Sequence, residues 1–397
     1  SCSLSGRAPR RRRQARAFSV DPDVPKPWFA PYADAVIKPG HAWEDPRHNP
    51  AGSTVLSFVV ADGKDPCQPS WGGYFSPEQA STGLELDRRI TRVRSRGNDV
   101  IVSFGGARNL ELATACKDPA KLVAAYKAVI DRYQLTTIDL DIEGAALGDR
   151  TAVARRAQAI KALQDERAAL GRPLGVWLTL PVMPTGLTSA GVAFVDAMLG
   201  AGVDVAGVNI MTMDYGGSRG AKQSMLDATK DSLKAGRRQV GDAYKRANIR
   251  LRDAQVWAKI GATPMIGQND VSTDLFSLED AKSLVAFLRS TGMGRISMWS
   301  INRDQRCGPN IDAGQASDFC SGVEQKAQLQ KQIRAKGGDL AIWLTLPAST
   351  MGLPVEGVRT VDDTLRAGVD LTGVNLMTMN YGGSRGAKQS MLDATKD

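Results

Sequence analysis

Histidine is nearly missing from this chain: His41 and His48 are the only two in 397 residues. The five cysteines include no Cys-x-x-Cys pair, so little material remains for a zinc site. No apolar run approaches the ~18 residues of a membrane-spanning helix. The arginine-rich start is followed by no apolar stretch of ~7–15 residues, so no export signal is visible in this chain. Its basic residues lack interleaved aromatics on a folded face, which argues against a nucleic-acid partner.

What is present is a core-forming composition, 42% hydrophobic and 23% charged, with a net charge of +9. Six arginines between Arg7 and Arg16 precede the first acidic residue, Asp21, and supply most of that excess. Residues 1–26 read as a solvated basic tail. Cys307 and Cys320 close a short loop, and Cys67 and Cys116 can meet if their loops share a face. Two such bridges imply an oxidising, extracellular compartment; buried free thiols are the other reading, and Cys2 has no partner in either.

Eight short apolar runs recur between Trp28 and Asp304: Trp28–Val36, Val55–Gly63, Val100–Ala107, Thr136–Gly144, Gly175–Met183, Val205–Gly216, Val256–Gly267 and Arg295–Asp304. Several are near-continuous rather than alternating, as parallel strands covered on both faces are. Helical segments separate most of them. Asp118-Pro119 supplies a cap and a first-turn proline, Asp149–Leu170 is a long amphipathic stretch, and Ser277-x-x-Asp280 resembles a capping box. This alternation predicts an α/β fold, a (β/α)8 TIM barrel over residues 27–322. A doubly wound open sheet is the rival, but no Gly-x-Gly-x-x-Gly turn follows the first run.

Residues 323–397 repeat residues 157–231 at a constant offset of 166. Tyr215–Asp231 and Tyr381–Asp397 are identical at all seventeen positions, and Gly175–Asp231 matches Ala341–Asp397 at 39 of 57. The segment reads as a truncated, partial barrel repeat and not an independent domain, because it lacks the neighbouring strands and helices that would cover it.

The strongest chemical feature is Asp139-Leu-Asp141-Ile-Glu143. A spacing of two along a strand puts three carboxylates on one face, about 6.5–7 Å between successive Cα atoms. In a barrel that face points inward, and the run ends at the carboxyl end of its strand, where such barrels hold their active sites. Three crowded carboxylates cannot all stay ionised, so at least one titrates high. Glu143, nearest the mouth, is the natural proton donor. A solvated edge strand with alternating acids is the bland alternative.

These residues resemble the signature of glycoside hydrolase family 18, the chitinases: Asp-x-x-Asp-x-Asp-x-Glu on the fourth barrel strand, met by Asp139, Asp141 and Glu143. Thr136 stands where the pattern begins with an acid. Ser103-Phe-Gly105-Gly106 is similar to the family's Ser-x-Gly-Gly motif. Met211-Thr-Met213-Asp214-Tyr215 is similar to its Met-x-Tyr-Asp motif with the last two residues exchanged, and Trp299 to the tryptophan flooring the subsite at the cleaved bond. The resemblance covers about residues 27–322.

The resemblance implies retaining hydrolysis of β-1,4-linked N-acetylglucosamine, in chitin or its oligosaccharides, with the substrate's acetamido oxygen as nucleophile and no metal or organic cofactor. Glu143 would act as general acid and base. Asp141 would orient the acetamido nitrogen, and Asp139 would hold Asp141 and trade a proton with it. Asp214 and Tyr215 would hydrogen-bond the acetamido group. Trp299, Met211, Ser103 and Gly105 would line the sugar site, with Trp71 and Tyr74 in outer subsites. Trp43 reads as a further subsite candidate, Trp177 as undecided, and Trp28 and Trp257 as core. An endo-β-N-acetylglucosaminidase and a non-catalytic chitin-binding barrel are the alternatives.

Two other matches fail. Gly216-Gly-Ser218-Arg-Gly220 fits a serine-hydrolase elbow, but no histidine follows it. The same loop fits no phosphate-binding pattern. The repeat carries Asn380 in place of Asp214 and no copy of Asp139–Glu143, so it cannot form a second site.

Overall fold

The structure is a computed structural model that describes residues 26–38, 40–308, 314–323, 343–347, 353–366, 371 and 373–377. The basic tail, apart from Lys26, and most of the repeat lie outside the described residues. The chain divides into two compact units, Ser1–Asn302 and Arg303–Asp397.

In the first unit the strands are β1 (Trp28–Phe29), β2 (Tyr32–Asp34), β3 (Thr54–Ala61), β4 (Pro69–Trp71), β5 (Val100–Gly105), β6 (Thr137–Asp141), β7 (Gly175–Met183), β8 (Gly186–Leu187), β9 (Val205–Met211), β10 (Ile260–Thr263), β11 (Gly267–Gln268), β12 (Leu275–Phe276) and β13 (Arg295–Ile296). The main sheet runs β1-β13-β10-β9-β7-β6-β5-β3-β2, all parallel along that path. Both ends of the path belong to one stretch of chain. Trp28 pairs with Arg295 and Tyr32 with Val55, so the sheet closes into a barrel of eight staves.

The first apolar run is broken at Pro31, which has no N–H to donate, although its carbonyl still accepts from Val55 N–H at 2.9 Å. The seventh run begins as a helix, Asp253–Ala258, started where the Gln255 side chain accepts from Arg252 N–H at 2.9 Å; only Ile260–Thr263 is strand. Elsewhere the local signals act as their chemistry dictates. Asp118 Oδ1 accepts from the N–H groups of Ala120 and Lys121 at the head of helix Pro119–Arg132. Ser277 and Asp280 cap each other to open Leu278–Thr291, and Gly292 closes it at φ +74°.

Alternation along the staves separates two environments. Leu56, Val102, Ile138, Leu140, Ile142, Val176, Leu178, Leu180, Val208 and Ile210 pack outward into the main core under the helices. Val55, Ile101 and Tyr32 form a smaller inward cluster with Phe58 and Trp299 against it. The buried inward face also carries Trp177 and a polar set: Ser103, Asp139, Thr179, Asn209, Thr263 and Arg295. Cys67 is bridged to Cys116, joining the loops that follow β3 and β5. Among the described residues no helix is long and apolar enough to cross a membrane.

The second unit contains the Cys307–Cys320 bridge and a parallel pair, β14 (Trp343–Pro347) and β15 (Gly373–Met377), joined through helix Val355–Arg366. Its register, Trp343↔Gly373 through Pro347↔Met377, is that of β7 and β9, Trp177↔Gly207 through Pro181↔Met211, moved along by the offset of the repeat.

Candidate active site

The site is built upward from β6. Asp139, fully buried, accepts four hydrogen bonds: from Tyr32 Oη and Ser103 Oγ at 2.8 Å on Oδ2, and from Thr179 Oγ1 at 2.7 Å and Arg295 Nη1 at 2.8 Å on Oδ1. Asn209 Nδ2 donates to Thr179 Oγ1 at 3.1 Å and to Thr263 Oγ1 at 2.6 Å. Burial, followed by the charge of Asp139, pushes the Tyr32 hydroxyl well above the usual tyrosine range and keeps it a donor.

One step toward the mouth, Asp141 is buried and shares a hydrogen bond with Glu143. Burial drives its pKa well up, and the charges of Glu143 and Asp139 add to the rise. Glu143 is also raised, by burial and then by Asp214, although the bond from Asp141 opposes the shift. The pair therefore holds a proton beyond the pH at which free carboxyls lose theirs. Asp141 Oδ1 is buried and has no hydrogen-bond partner among the described residues.

Gly105 and Gly106 end β5 against this strand. Gly106 N–H donates to the carbonyl of Asp141 at 2.9 Å, and a Cβ on Gly105 would lie 2.0 Å from that oxygen. Both have positive φ, +109° and +86°. Beside them Trp299 stacks on Phe58, ring centroids 5.4 Å apart at 22°, with Tyr32 next to it. Met211 ends β9 on the inward side, two residues beyond Asn209. Asp214 sits past the strand end at φ +50°, its N–H donating to Asn269 Oδ1 at 3.1 Å while its Oδ1 accepts from Val271 N–H at 3.0 Å. Burial raises its pKa, and the Val271 bond opposes that rise.

Several expectations need correction. Tyr215 is buried behind the barrel wall, its hydroxyl 2.9 Å from Ser232 Oγ, so it does not face the acids as Asp214 does. Trp71 is fully buried and donates to Tyr133 Oη at 3.0 Å, which makes it core and not a subsite wall. Trp43 is likewise buried, 4.3 Å beneath the Arg89 guanidinium. Ser103 is spent on Asp139, and Gly105 serves the backbone of Asp141, so both support the acids instead of lining a sugar site. Tyr74 stands 76% exposed on its loop. Trp177 points inward and meets Trp28 edge-on. Trp257 packs on Phe287.

Sequence reasoning missed Tyr32, Phe58, Thr179, Asn209 and Arg295. A signal existed for Arg295: it lies four residues before Trp299 on one run, so an inward Trp299 carries Arg295 inward too. Among the described residues no group of three or more His, Cys, Asp or Glu side chains is placed to hold a metal ion.

No protein-family model matches the chain. Over 291 residues it is 33% identical to the probable bifunctional chitinase/lysozyme of Escherichia coli, covering 72% of this chain and 32% of the relative. Over 284 residues it is 31% identical to endochitinase 11 of Metarhizium anisopliae, covering 70% of this chain and 53% of that protein. The chain thus spans about a third to a half of these relatives. Among solved structures, the catalytic domain of a hyperthermophilic chitinase from Pyrococcus furiosus superposes with a TM-score of 0.65 at 29% identity, over 76% of this chain and 91% of that one. Catalytic-site mutants of active domain 2 of the thermostable chitinase from the same organism, complexed with chito-oligosaccharides, give 0.65 at 28%, over 80% and 98%.

Proposed function

We propose that the chain, which is similar over about 70% of its length to chitinases, is a glycoside hydrolase family 18 chitinase that hydrolyses β-1,4-linked N-acetylglucosamine polymers with retention, with Glu143 as general acid and base. The observation that carries this reading is the hydrogen-bonded Asp141–Glu143 pair, both raised above the usual carboxylate range by burial, above an Asp139 that accepts four hydrogen bonds. A protonated Glu143 can deliver its proton to the glycosidic oxygen as the bond breaks.

A retaining enzyme with a protein nucleophile needs a second, free carboxylate about 5–5.5 Å from the acid. Asp139 is enclosed by its donors and Asp141 is bonded to the acid itself, which favours attack by the substrate's own acetamido oxygen on the anomeric carbon. The unpartnered Asp141 Oδ1 suits the acetamido N–H and the positive oxazolinium that this attack forms. Glu143, now a carboxylate, then takes a proton from the water that opens the ring and restores the anomeric configuration. Trp299, on its Phe58 stack, offers a flat apolar floor for the sugar and its acetamido methyl. Asp214 is the acetamido contact from the far wall. Two disulfides support secretion into an oxidising medium.

Glu143→Gln tests the acid. Hydrolysis of chitin oligosaccharides should fall by ~10²–10⁴-fold or more while the fold is kept. Equal rates for the two proteins would remove Glu143 from the role, and no release of diacetylchitobiose by the unsubstituted chain would remove the substrate.

A further inference from the structure

Asp214 does not stand on a strand. Strand β9 ends at Met211, and the aspartate follows on a loop, half-buried, with its backbone in the left-handed region at φ +50°. A non-glycine residue keeps such a conformation only where its surroundings hold it there. The holding is done by the loop that follows β10, residues 264–277. Asp214 N–H donates to Asn269 Oδ1 at 3.1 Å, and Asp214 Oδ1 accepts from Val271 N–H at 3.0 Å. Asn269 is itself turned toward Asp214 because its Nδ2 donates to the carbonyls of Met265 and Gly267, at 2.9 and 3.1 Å.

That second loop is wound around buried polar groups. Gln268 Nε2 donates to the carbonyls of Asn269, Ser272 and Asp274 at 3.2, 3.1 and 3.2 Å. Asp274, with no exposed surface, reaches back to the loop after β9. Its Oδ2 accepts from Gly216 N–H at 2.9 Å, and its Oδ1 accepts from Arg219 Nε and Nη2 at 3.2 and 3.0 Å. Arg219 Nη2 also donates to the Thr273 carbonyl at 3.0 Å, and Nη1 to the Gln223 carbonyl. One planar guanidinium therefore joins a carboxylate and two carbonyls, a task that needs its fork of donors. The contacts of Asp214, Gly216 and Arg219 with Asn269, Val271 and Asp274 form a single clasp between two loops.

We propose that Arg219 and Asp274 are positioning residues for the hydrolysis: their ion pair locks the loop after β9 to the loop after β10 and so sets Asp214 against the acetamido group. The inference rests on the chitinase reading, with Asp214 as the acetamido contact, while the clasp itself can be read without turnover.

Backbone amide exchange of the full chain reads the clasp directly. In Arg219→Met the N–H groups of Asp214 and Val271 should exchange at least about tenfold faster, while that of Leu140 on β6 keeps its protection. Unchanged exchange at both overturns the proposal, whether or not the protein cleaves chitin. Kinetics on chitin oligosaccharides read the consequence through a double-mutant cycle. Arg219→Met should lower kcat/KM by about 10–100-fold, the effect of a displaced binding group. In an Asp214→Ala background, where the contact is already gone, it should change kcat/KM by less than about twofold. Equal losses in the two backgrounds would show that the pair serves the fold or another group, and would overturn the proposal. Arg219→Lys should recover part of the loss, because lysine restores the charge without the fork. If Arg219→Met fails to fold with Asp274 left unpaired, the same measurements are made on Arg219→Met with Asp274→Asn, which buries no lone charge. An unsubstituted chain that cleaves no chitin oligosaccharide, with the expected exchange in the variant, would overturn the function proposed above and leave the positioning of Asp214 supported.

Discussion

Burial raises the pKa of Asp141, and the charges of Glu143 and Asp139 raise it further, so ionising this residue works against the fold. A carboxyl whose folded-state pKa is raised contributes stability that is complete below its unfolded value, near 3.9 for aspartate, and is lost as pH climbs through the folded value. Asp141→Asn removes that loss. We expect the variant to melt higher than the parent at neutral pH, to show no advantage in acid, and to lose hydrolysis; melting curves across pH check this, and a gap that ignores pH would clear Asp141 of the shift. The acidic trio was legible because a strand alternates with a period of two, and a one-sided set of acids stands out against Ile138, Leu140 and Ile142. The choice between Asp214 and Tyr215 was not legible. Strand β9 stops at Met211, so alternation no longer applies, and the left-handed backbone of Asp214 sends the next side chain behind the wall. Trp71 misled for a related reason: β4 turns back antiparallel on β3 and carries the indole into the core.

At the scale of elements, the fit of β7 against β9 depends on one missing side chain. A Cβ at Gly207 would lie 2.4 Å from Trp177 and 2.8 Å from the carbonyl of Lys259, and that backbone atom cannot step aside. Gly207→Ala should therefore cost about 1–3 kcal/mol in chemical denaturation, as overpacking does; an unchanged midpoint would mean that the indole relocates freely. The backbone register Trp343↔Gly373 repeats that of Trp177↔Gly207. Local information explains what the sequence revealed of the elements. Helix caps at Asp118 and Ser277 and the order of the staves could be read, because each signal is complete within a few residues. The break at Pro31, the helical start of the seventh run and the two-residue length of β13 could not, since pairing partners far along the chain set them.

For the molecule as a whole, closure comes from the first stretch pairing on both sides, with β13 through Trp28 and with β3 through Tyr32. The count of eight runs was enough to anticipate it. The Cys67–Cys116 bridge spans a sequence separation of 49 across two loops on the active-site side. Replacing both cysteines by serine should lower stability by about 2–4 kcal/mol, chiefly by freeing the unfolded chain; an unaltered melting temperature under matched conditions would show that the loops hold themselves. The sealed Arg295–Asp139 pair has a different kind of consequence. Dissolved electrolytes weaken electrostatic interactions by gathering around charges that water can reach, and none can gather here. A change of salt concentration would alter the exposed charges of the surface and leave this buried pair as it is.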